Sequence, residues 1–431
     1  MSAYKKQNHH PAALSSFAPS DKGEGVQGQG RQTSRYVFFF MIFLMYVISY
    51  GDRAALSISL PDLGREFSLS SVQMGWVSSS FLWSYFLLNL PSTIMLDIVG
   101  ARLVGTLAVS VWSGAMMLGG MAQNISQFIA TRMLLGVGEA PTFGVGATIV
   151  RGWAQSKERG TVMTILLTGM QLGLASGTLA GAYLITKMGW RYEFIFLGMI
   201  GFVWSMAWWL IYRDKVGAEK AASRPISIPQ VLSLFKSRTF CGILSVQCTQ
   251  NFLNFLLMSW VPVYLMHELH IDVLHSGSGT AGCYVLGAVG AIILGRVLEG
   301  AVFRTNATPS HRRYIVAACI IGSSVIGILP FFHKEFPILV VLSLSLCCLI
   351  AANGANTAML ADMLEDGSKI GSVTGVTLTC SNAIGLTAPI VTGYVVSYTG
   401  SFNAAWYACA ISLLVAACIS LITVRQSICM E

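Results

Sequence analysis

Charge is scarce in this sequence. Only 11% of its 431 residues are charged, whereas 54% are hydrophobic, and the mean hydropathy is +0.65. That balance is too apolar for a soluble globular chain of this length and places it in a bilayer. Cysteine is missing from the whole first half, since all ten lie between Cys241 and Cys429. None forms a Cys-x-x-Cys pair or a secreted spacing, so neither a thiolate metal site nor a disulfide framework is expected. Adjacent Cys347 and Cys348 sit in apolar surroundings where a thiol behaves as a small hydrophobe. The sequence holds no nucleophile with a base, no metal constellation and no phosphate loop, and its loops are too short for an added catalytic domain. Neither enzymatic activity nor a cofactor is therefore expected. Residues 1–35 lack the pattern of a cleavable secretory signal and, being polar and rich in Gly, Ser and Gln, read as a disordered cytoplasmic tail.

What the chain has instead is apolar runs of roughly twenty residues, each long enough to cross about 30 Å of hydrocarbon as a helix. Twelve are placed, near 36–60, 72–95, 103–122, 126–150, 160–185, 193–212, 240–266, 277–303, 314–332, 336–361, 371–397 and 402–424. The runs are continuous rather than alternating, which disfavours a β-barrel and predicts an all-α integral membrane protein. Most of the 27 Lys and Arg then fall on the side of both termini, leaving Arg65, Lys187, Arg191 and Lys334 on the other. By the positive-inside rule both termini are cytoplasmic. The net charge of +8 is this same bias and calls for no nucleic acid.

A polar stretch with Lys215, Glu219, Lys220, Arg224, Pro225 and Pro229 divides the spans six and six. The expected organisation is a first half over 36–212, a cytoplasmic linker over 213–239, a second half over 240–424 and a tail over 425–431. A trace of repetition supports it: Met95-Leu96-Asp97 followed by Arg102 is echoed by Val297-Leu298-Glu299 followed by Arg304. Asp97, Arg102 and Glu299 are candidate gating charges at helix ends. Two six-helix halves with a site near mid-depth is the architecture of rocking secondary transporters. Glycines such as Gly136, Gly138, Gly173, Gly177 and Gly385 would let helices approach closely. Pro141, Pro262 and Pro389 lie inside spans, as tolerated kinks or as hinges.

Four ionisable residues, Asp52, Arg53, Arg132 and Glu139, interrupt the apolar runs, where a charge costs several kcal/mol unless it is paired or hydrated. Arg132 and Glu139 are seven residues apart, about 10 Å along one helix face. Adjacent Asp52 and Arg53 diverge by about 100° and cannot face one point. The Arg53 fork suits a carboxylate, and the two acids are placed to exchange protons with water. These charges also fit purely structural interhelical pairs. If a pair opens when its acid is protonated, it would free an arginine for an anionic cargo. Tyr85 offers a hydroxyl to a cargo or packs as a ring. In the second half Asn353, Asn356, Thr357, Thr377, Ser381 and Asn382 form a neutral polar set, for recognition or as interhelical glue. His267, Glu268, His270 and His275 read as a solvated face more readily than as a metal site or pH sensor.

The run Arg132-Met-Leu-Leu-Gly136-Val-Gly138-Glu139-Ala-Pro141, with Arg151-Gly152-Trp153, Tyr50-Gly51-Asp52-Arg53-Ala54, the Met95 to Arg102 loop and Gly189-Trp190-Arg191, resembles the anion:cation symporter family of the major facilitator superfamily. The resemblance covers about 35–425 and looks closest to bacterial proton-coupled carriers of sugar acids such as galactonate, hexuronates and glucarate. It implies proton coupling at Asp52 and Glu139, a cargo carboxylate at Arg53, an ion-pair role for Arg132 and pocket tyrosines at Tyr50 and Tyr85. Met170 stands where such carriers commonly have a pocket Gln, with Gln171 one place off, and Ala358 and Leu378 stand where a Trp and an Asn are common. Thr93 and Ile98 depart from the usual Gly and Arg of the loop between spans two and three. The expectation is a bacterial inner-membrane importer, working as a monomer, that brings in a small organic carboxylate with protons by alternating access. A less hydroxylated or aromatic acid is the alternative cargo, and an exporter or uniporter the alternative mode. Partners expected are the carboxylate, protons and the lipid bilayer.

Overall fold

The computed structural model describes residues 24–155, 158–214, 228–304, 311–366 and 369–428. Helices account for nearly all of them: α1 (Glu24–Glu66), α2 (Ser71–Val99), α3 (Ala101–Gly120), α4 (Ile125–Glu139), α5 (Thr142–Trp153), α6 (Arg159–Met188) and α7 (Trp190–Ile211) make the first half. A short α8 (Ile228–Leu234) precedes α9 (Arg238–Leu269), α10 (Val273–Arg304), α11 (Arg312–Ser323), a 3-10 stretch over Ser324–Phe331, α12 (Glu335–Met363), α13 (Ile370–Gly385), α14 (Ala388–Thr399) and α15 (Asn403–Thr423). Among the described residues, eleven stretches are long and apolar enough to cross a membrane. The twelfth expected span coincides with α2, which is 29 residues long. Residues 215–227 of the expected linker lie outside the described residues.

Three sequence expectations are revised. Helix α1 begins at Glu24, inside the tail expected to be disordered. The expected C-terminal tail over 425–431 is joined to the chain after α12 through Ile428: Leu364 and Ile428 form a parallel bridge, with the Ile428 amide donating to the Met363 carbonyl at 2.7 Å. Of the three span prolines, only Pro262 lies inside a continuous helix; the fourth span breaks between α4 and α5 at Pro141, and the eleventh breaks between α13 and α14 just before Pro389. A proline removes one amide donor and clashes with the preceding turn, so both breaks have a local cause.

Chain turns are equally local. Ser70 and Gln73 form a reciprocal capping box at the start of α2, and Asn124 accepts the Gln127 amide at 2.9 Å to start α4. Gly100 and Gly189, at φ of 97° and 90°, are single-residue turns between successive spans in a conformation that other residues resist.

The two halves meet on the side of the α1–α2 loop. There a Cβ on Gly75 would stand 2.5 Å from the Pro389 carbonyl oxygen, one on Gly393 2.5 Å from the Ser71 carbonyl oxygen, and one on Gly277 2.4 Å from the Ala182 Cβ. All three close glycine approaches between the halves lie on this side. Toward the side of the termini a Cβ on Gly371 or Gly375 of α13 would meet no atom of another element within 4 Å. The halves therefore close at one face and part at the other.

Candidate transport site

The site is built on α1 and α4, and small residues bring these helices to their neighbours. Between Arg132 and Glu139, a Cβ on Gly136 would fall 2.2 Å from the Phe81 carbonyl oxygen of α2, and one on Gly138 2.6 Å from the Trp112 amide nitrogen of α3. Ser84 of α2 donates to the Met133 carbonyl at 2.7 Å, and Asn89 donates to that of Ala140 at 3.3 Å. On the other side, a Cβ on Gly177 of α6 would stand 2.5 Å from the Gly51 Cα, next to Asp52. Glycine is required at these positions because backbone presses on backbone.

Glu139 is fully buried and receives two nitrogens of Arg53 on one oxygen: Nε at 2.7 Å and a terminal guanidinium nitrogen at 2.6 Å. Its Oε1 has no hydrogen-bond partner. The Arg53 guanidinium carbon lies 4.5 Å from the Tyr50 ring centre, 5.2 Å from that of Phe81 and 5.2 Å from that of Tyr85. A cation held over aromatic faces in a desolvated place gains roughly 2 kcal/mol or more. Arg53 is thus gripped by three rings and one carboxylate oxygen, while the second carboxylate oxygen stays free.

Asp52, one residue earlier, points elsewhere. It is fully buried, neither of its oxygens has a hydrogen-bond partner, and the charges it feels are those of Glu139, Arg132 and Arg53. Arg132, expected in an ion pair, has no carboxylate oxygen within 4 Å among the described residues; its guanidinium rests 4.8 Å from the Phe194 ring centre and 5.2 Å from that of Phe128, and donates to the Met116 sulfur at 3.1 Å. The partner of Glu139 is Arg53, across helices, rather than Arg132 along one helix. Breaking a buried pair of this kind by removing one member costs about 3–5 kcal/mol.

The remaining candidates divide. Gln171 is half-buried, with its Oε1 enclosed and unpartnered. In the second half Asn356 donates to the Gln247 Oε1 at 3.0 Å and to the Ile243 carbonyl at 3.2 Å, leaving its own Oδ1 unpartnered. Asn382 accepts from Asn251 at 2.9 Å, and Ser381 accepts from the same amide at 3.0 Å. Thr357 is exposed and donates to the Asn353 carbonyl at 2.9 Å. No hydrogen bond joins this set to the first-half charges among the described residues. Arg102 does not meet an acid through its side chain: it donates to the Trp209 carbonyl and stacks on that ring, while the Asp214 carboxylate accepts the Ala101 and Arg102 amides. The side chains of Asp97 and Glu299 lie outside those described. The histidines gather no metal set among the described residues; His275 hydrogen-bonds Asp272, and the His267 ring lies 3.7 Å from Glu268.

Sequence reasoning missed four side chains. Gln247 and Asn251 hold the second-half set together, and Gln250 is buried with both amide atoms unpartnered. Their signal was an amide stripe at Gln247, Gln250, Asn251 and Asn254 inside an apolar run. Glu193, an acid three residues into α7, is fully buried and accepts from Ser59 at 2.5 Å.

The description of the Major Facilitator Superfamily matches residues 42–309, and the chain belongs to that superfamily. It is a multi-pass membrane transport protein rather than an enzyme. It is 27% identical to the "Probable L-galactonate transporter" of Escherichia coli (strain K12), over 98% of each chain. Identity is 27% to the D-galactonate transporter of Escherichia coli O6:H1, over 88% of this chain and 93% of that one, and 28% to the hexuronate transporter of Bacillus subtilis (strain 168), over 85% and 89%. Among solved structures, a bacterial homolog of the human lysosomal transporter Spinster, inward-facing and unoccupied, superposes with a TM-score of 0.68 at 16% identity, over 91% of this chain and 95% of that one. This last likeness carries the fold.

Proposed function

We propose that the protein imports a small organic carboxylate, of the sugar-acid class, together with protons across a bacterial inner membrane by alternating access, with both termini cytoplasmic. The observation that carries this reading is Arg53, a permanent cation held by Tyr50, Phe81 and Tyr85 and neutralised by one oxygen of Glu139. Protonation of Glu139 releases the guanidinium, which then has the fork geometry to take a cargo carboxylate in its place. Charge balance gives the direction. Asp52, Glu139 and Glu193 against Arg53 and Arg132 leave one negative charge if all are ionised, so one proton makes the buried cluster neutral. A bound monocarboxylate calls for another. Cargo and proton then enter the same low-dielectric space as a neutral sum, because an unpaired charge at that depth is costly. Tyr50, Tyr85 and Gln171 line the approach from the first half, and Asn356, Thr357 and Asn382 read the rest of the cargo from the second. With the terminal side cytoplasmic, the closed α1–α2 side makes this the inward-facing state. The relatives named for galactonate and hexuronate transport support the cargo class.

One observation favours a less hydroxylated acid: Met170 packs against the core and Leu378 is 37% exposed, so two places that face neighbours or open space are apolar. Uptake of radiolabelled D-galactonate and of benzoate into energised membrane vesicles, with and without a protonophore, separates these readings. Accumulation of galactonate that collapses with the protonophore is expected. Accumulation indifferent to the protonophore, or cargo entry with no alkalinisation of a weakly buffered medium, overturns proton symport.

A further inference from the structure

Glu193 enters the charge balance above but has no role of its own there, and its surroundings are unusual for an acid. It is fully buried on α7, with no Lys or Arg nitrogen within 4 Å among the described residues. One oxygen accepts the Ser59 hydroxyl at 2.5 Å, and the other, Oε1, has no donor. Room for that free oxygen exists only because residue 181 is glycine: a Cβ there would stand 2.1 Å from it. The charged groups that face Glu193 are Asp52 and Asp62 on α1 and Arg132 on α4. Helix α6 meets it with Gly181, its Lys187 lying at the helix end, and the one charged residue of α3, Arg102, lies at that helix's far end.

Helix α1 arranges these groups in a column. Asp52, Ser59, Asp62 and Glu66 are separated by seven, three and four residues, a spacing that keeps them on one face over about 21 Å. Glu66 and Asp62 reach water, at 41% and 22% side-chain exposure, whereas Asp52 has none. Glu193 fills the gap between the wet end and the dry one. The closure between the halves passes beside it, too. A Cβ on Gly181 would stand 3.1 Å from the Ile58 side chain and one on Gly277 3.6 Å from it and 2.4 Å from that of Ala182, the residue after the glycine that faces Glu193. Separation of α10 from α6 would open the space next to the free oxygen to water.

We propose that Glu193 is a proton relay on the α1–α2 side, taking a proton from water when α10 leaves α6 and passing it toward Asp52 along the Ser59 face of α1. In the conformation described here the relay is sealed, so a proton handed inward cannot return. For its role in transport the inference rests on the proton-coupled reading above; the protonation of Glu193 does not.

The alternative is that Glu193 is only a strut holding α7 to α1 through Ser59. Two variants separate the possibilities. Glu193→Gln keeps the length and a hydrogen-bond acceptor for Ser59 but cannot carry the proton; Glu193→Asp keeps the carboxyl and shortens the strut. The full chain, reconstituted in lipid, is titrated by infrared difference spectroscopy at the carboxylic-acid C=O stretch. Proteoliposomes with an entrapped pH dye then report proton entry driven by D-galactonate. The relay predicts that Glu193→Gln removes one titrating carboxyl band and slows proton entry by about tenfold or more, and that Glu193→Asp restores most of the rate, since a positioned proton-transfer group contributes roughly 10²–10⁴-fold. An unchanged set of bands in Glu193→Gln, or proton entry preserved in Glu193→Gln and lost in Glu193→Asp, overturns it. If the wild-type protein moves no protons with D-galactonate, the cargo or coupling reading fails, and the infrared titration alone decides whether Glu193 carries a proton.

Discussion

The two halves share six-span architecture yet divide the polar work unequally. Every buried charged side chain among the described residues, Asp52, Arg53, Arg132, Glu139 and Glu193, belongs to the first half. The second half buries amides and hydroxyls instead, with Gln247, Gln250, Asn356 and Ser381 at its core. The difference is physical. A buried ion pair demands fixed geometry, and the first half supplies it through close glycine contacts at Gly136, Gly138 and Gly177. Neutral hydrogen bonds are each worth only about 1 kcal/mol net and exchange readily, so a face made of them can adapt to a cargo's hydroxyls.

That contrast can be broken most directly at Glu139. Glu139→Gln should abolish accumulation of the transported carboxylate while retaining its binding, and Asp52→Asn should do the same; wild-type accumulation in either would move the coupling elsewhere. Next comes Arg53→Lys, which keeps the charge and loses the fork. Equilibrium binding should weaken by about 1.5–3 kcal/mol, the range for a hydrogen bond to a charged group, with an unchanged Kd removing Arg53 from the cargo site. Gly177→Ala should lower stability by about 1–3 kcal/mol, because the added methyl meets the Gly51 backbone and neither helix can yield; a Tm within a degree of wild type would show that α6 and α1 are not packed as described. Asn356→Ala should raise KM by about tenfold or less and leave the proton-to-cargo ratio untouched. A changed ratio would put coupling in the second half and dissolve the division. The smallest effect is expected at Asp272, which is fully exposed and held below the ordinary carboxylate range by a hydrogen bond from His275. Because that value is depressed, its contribution is present at neutral pH and lost as pH falls through it; solvent screening keeps it small, so Asp272→Asn should leave transport unchanged and lower Tm at neutral pH by about a degree at most.

The helical membrane fold was legible because bilayer thickness sets span length and apolar runs record it directly. The buried charges were legible too, since Asp52, Arg53, Arg132 and Glu139 stand out against apolar neighbours. Their pairing was not. Spacing along one helix put Arg132 and Glu139 on a common face, but the partner of Glu139 comes from α1, and the rotation of α1 against α4 depends on glycine contacts with two further helices. Glu193 escaped notice because an acid in the first turn of a helix is ordinary at a surface and favourable to the helix dipole. Only the Gly181 contact, 12 residues away in sequence and on another helix, makes it a buried group.

The short backbone bridge between Leu364 and Ile428 has a practical corollary. The Glu365 amide donates to the Ile428 carbonyl, the Ile428 amide donates to that of Met363, and the Ser427 hydroxyl reaches the Glu365 carboxylate. A fluorescent reporter or purification handle fused behind this clasp would sit next to the C-terminal end of α12, the helix carrying Asn353, Asn356 and Thr357. A cleavable handle is therefore the appropriate control for assays on such fusions.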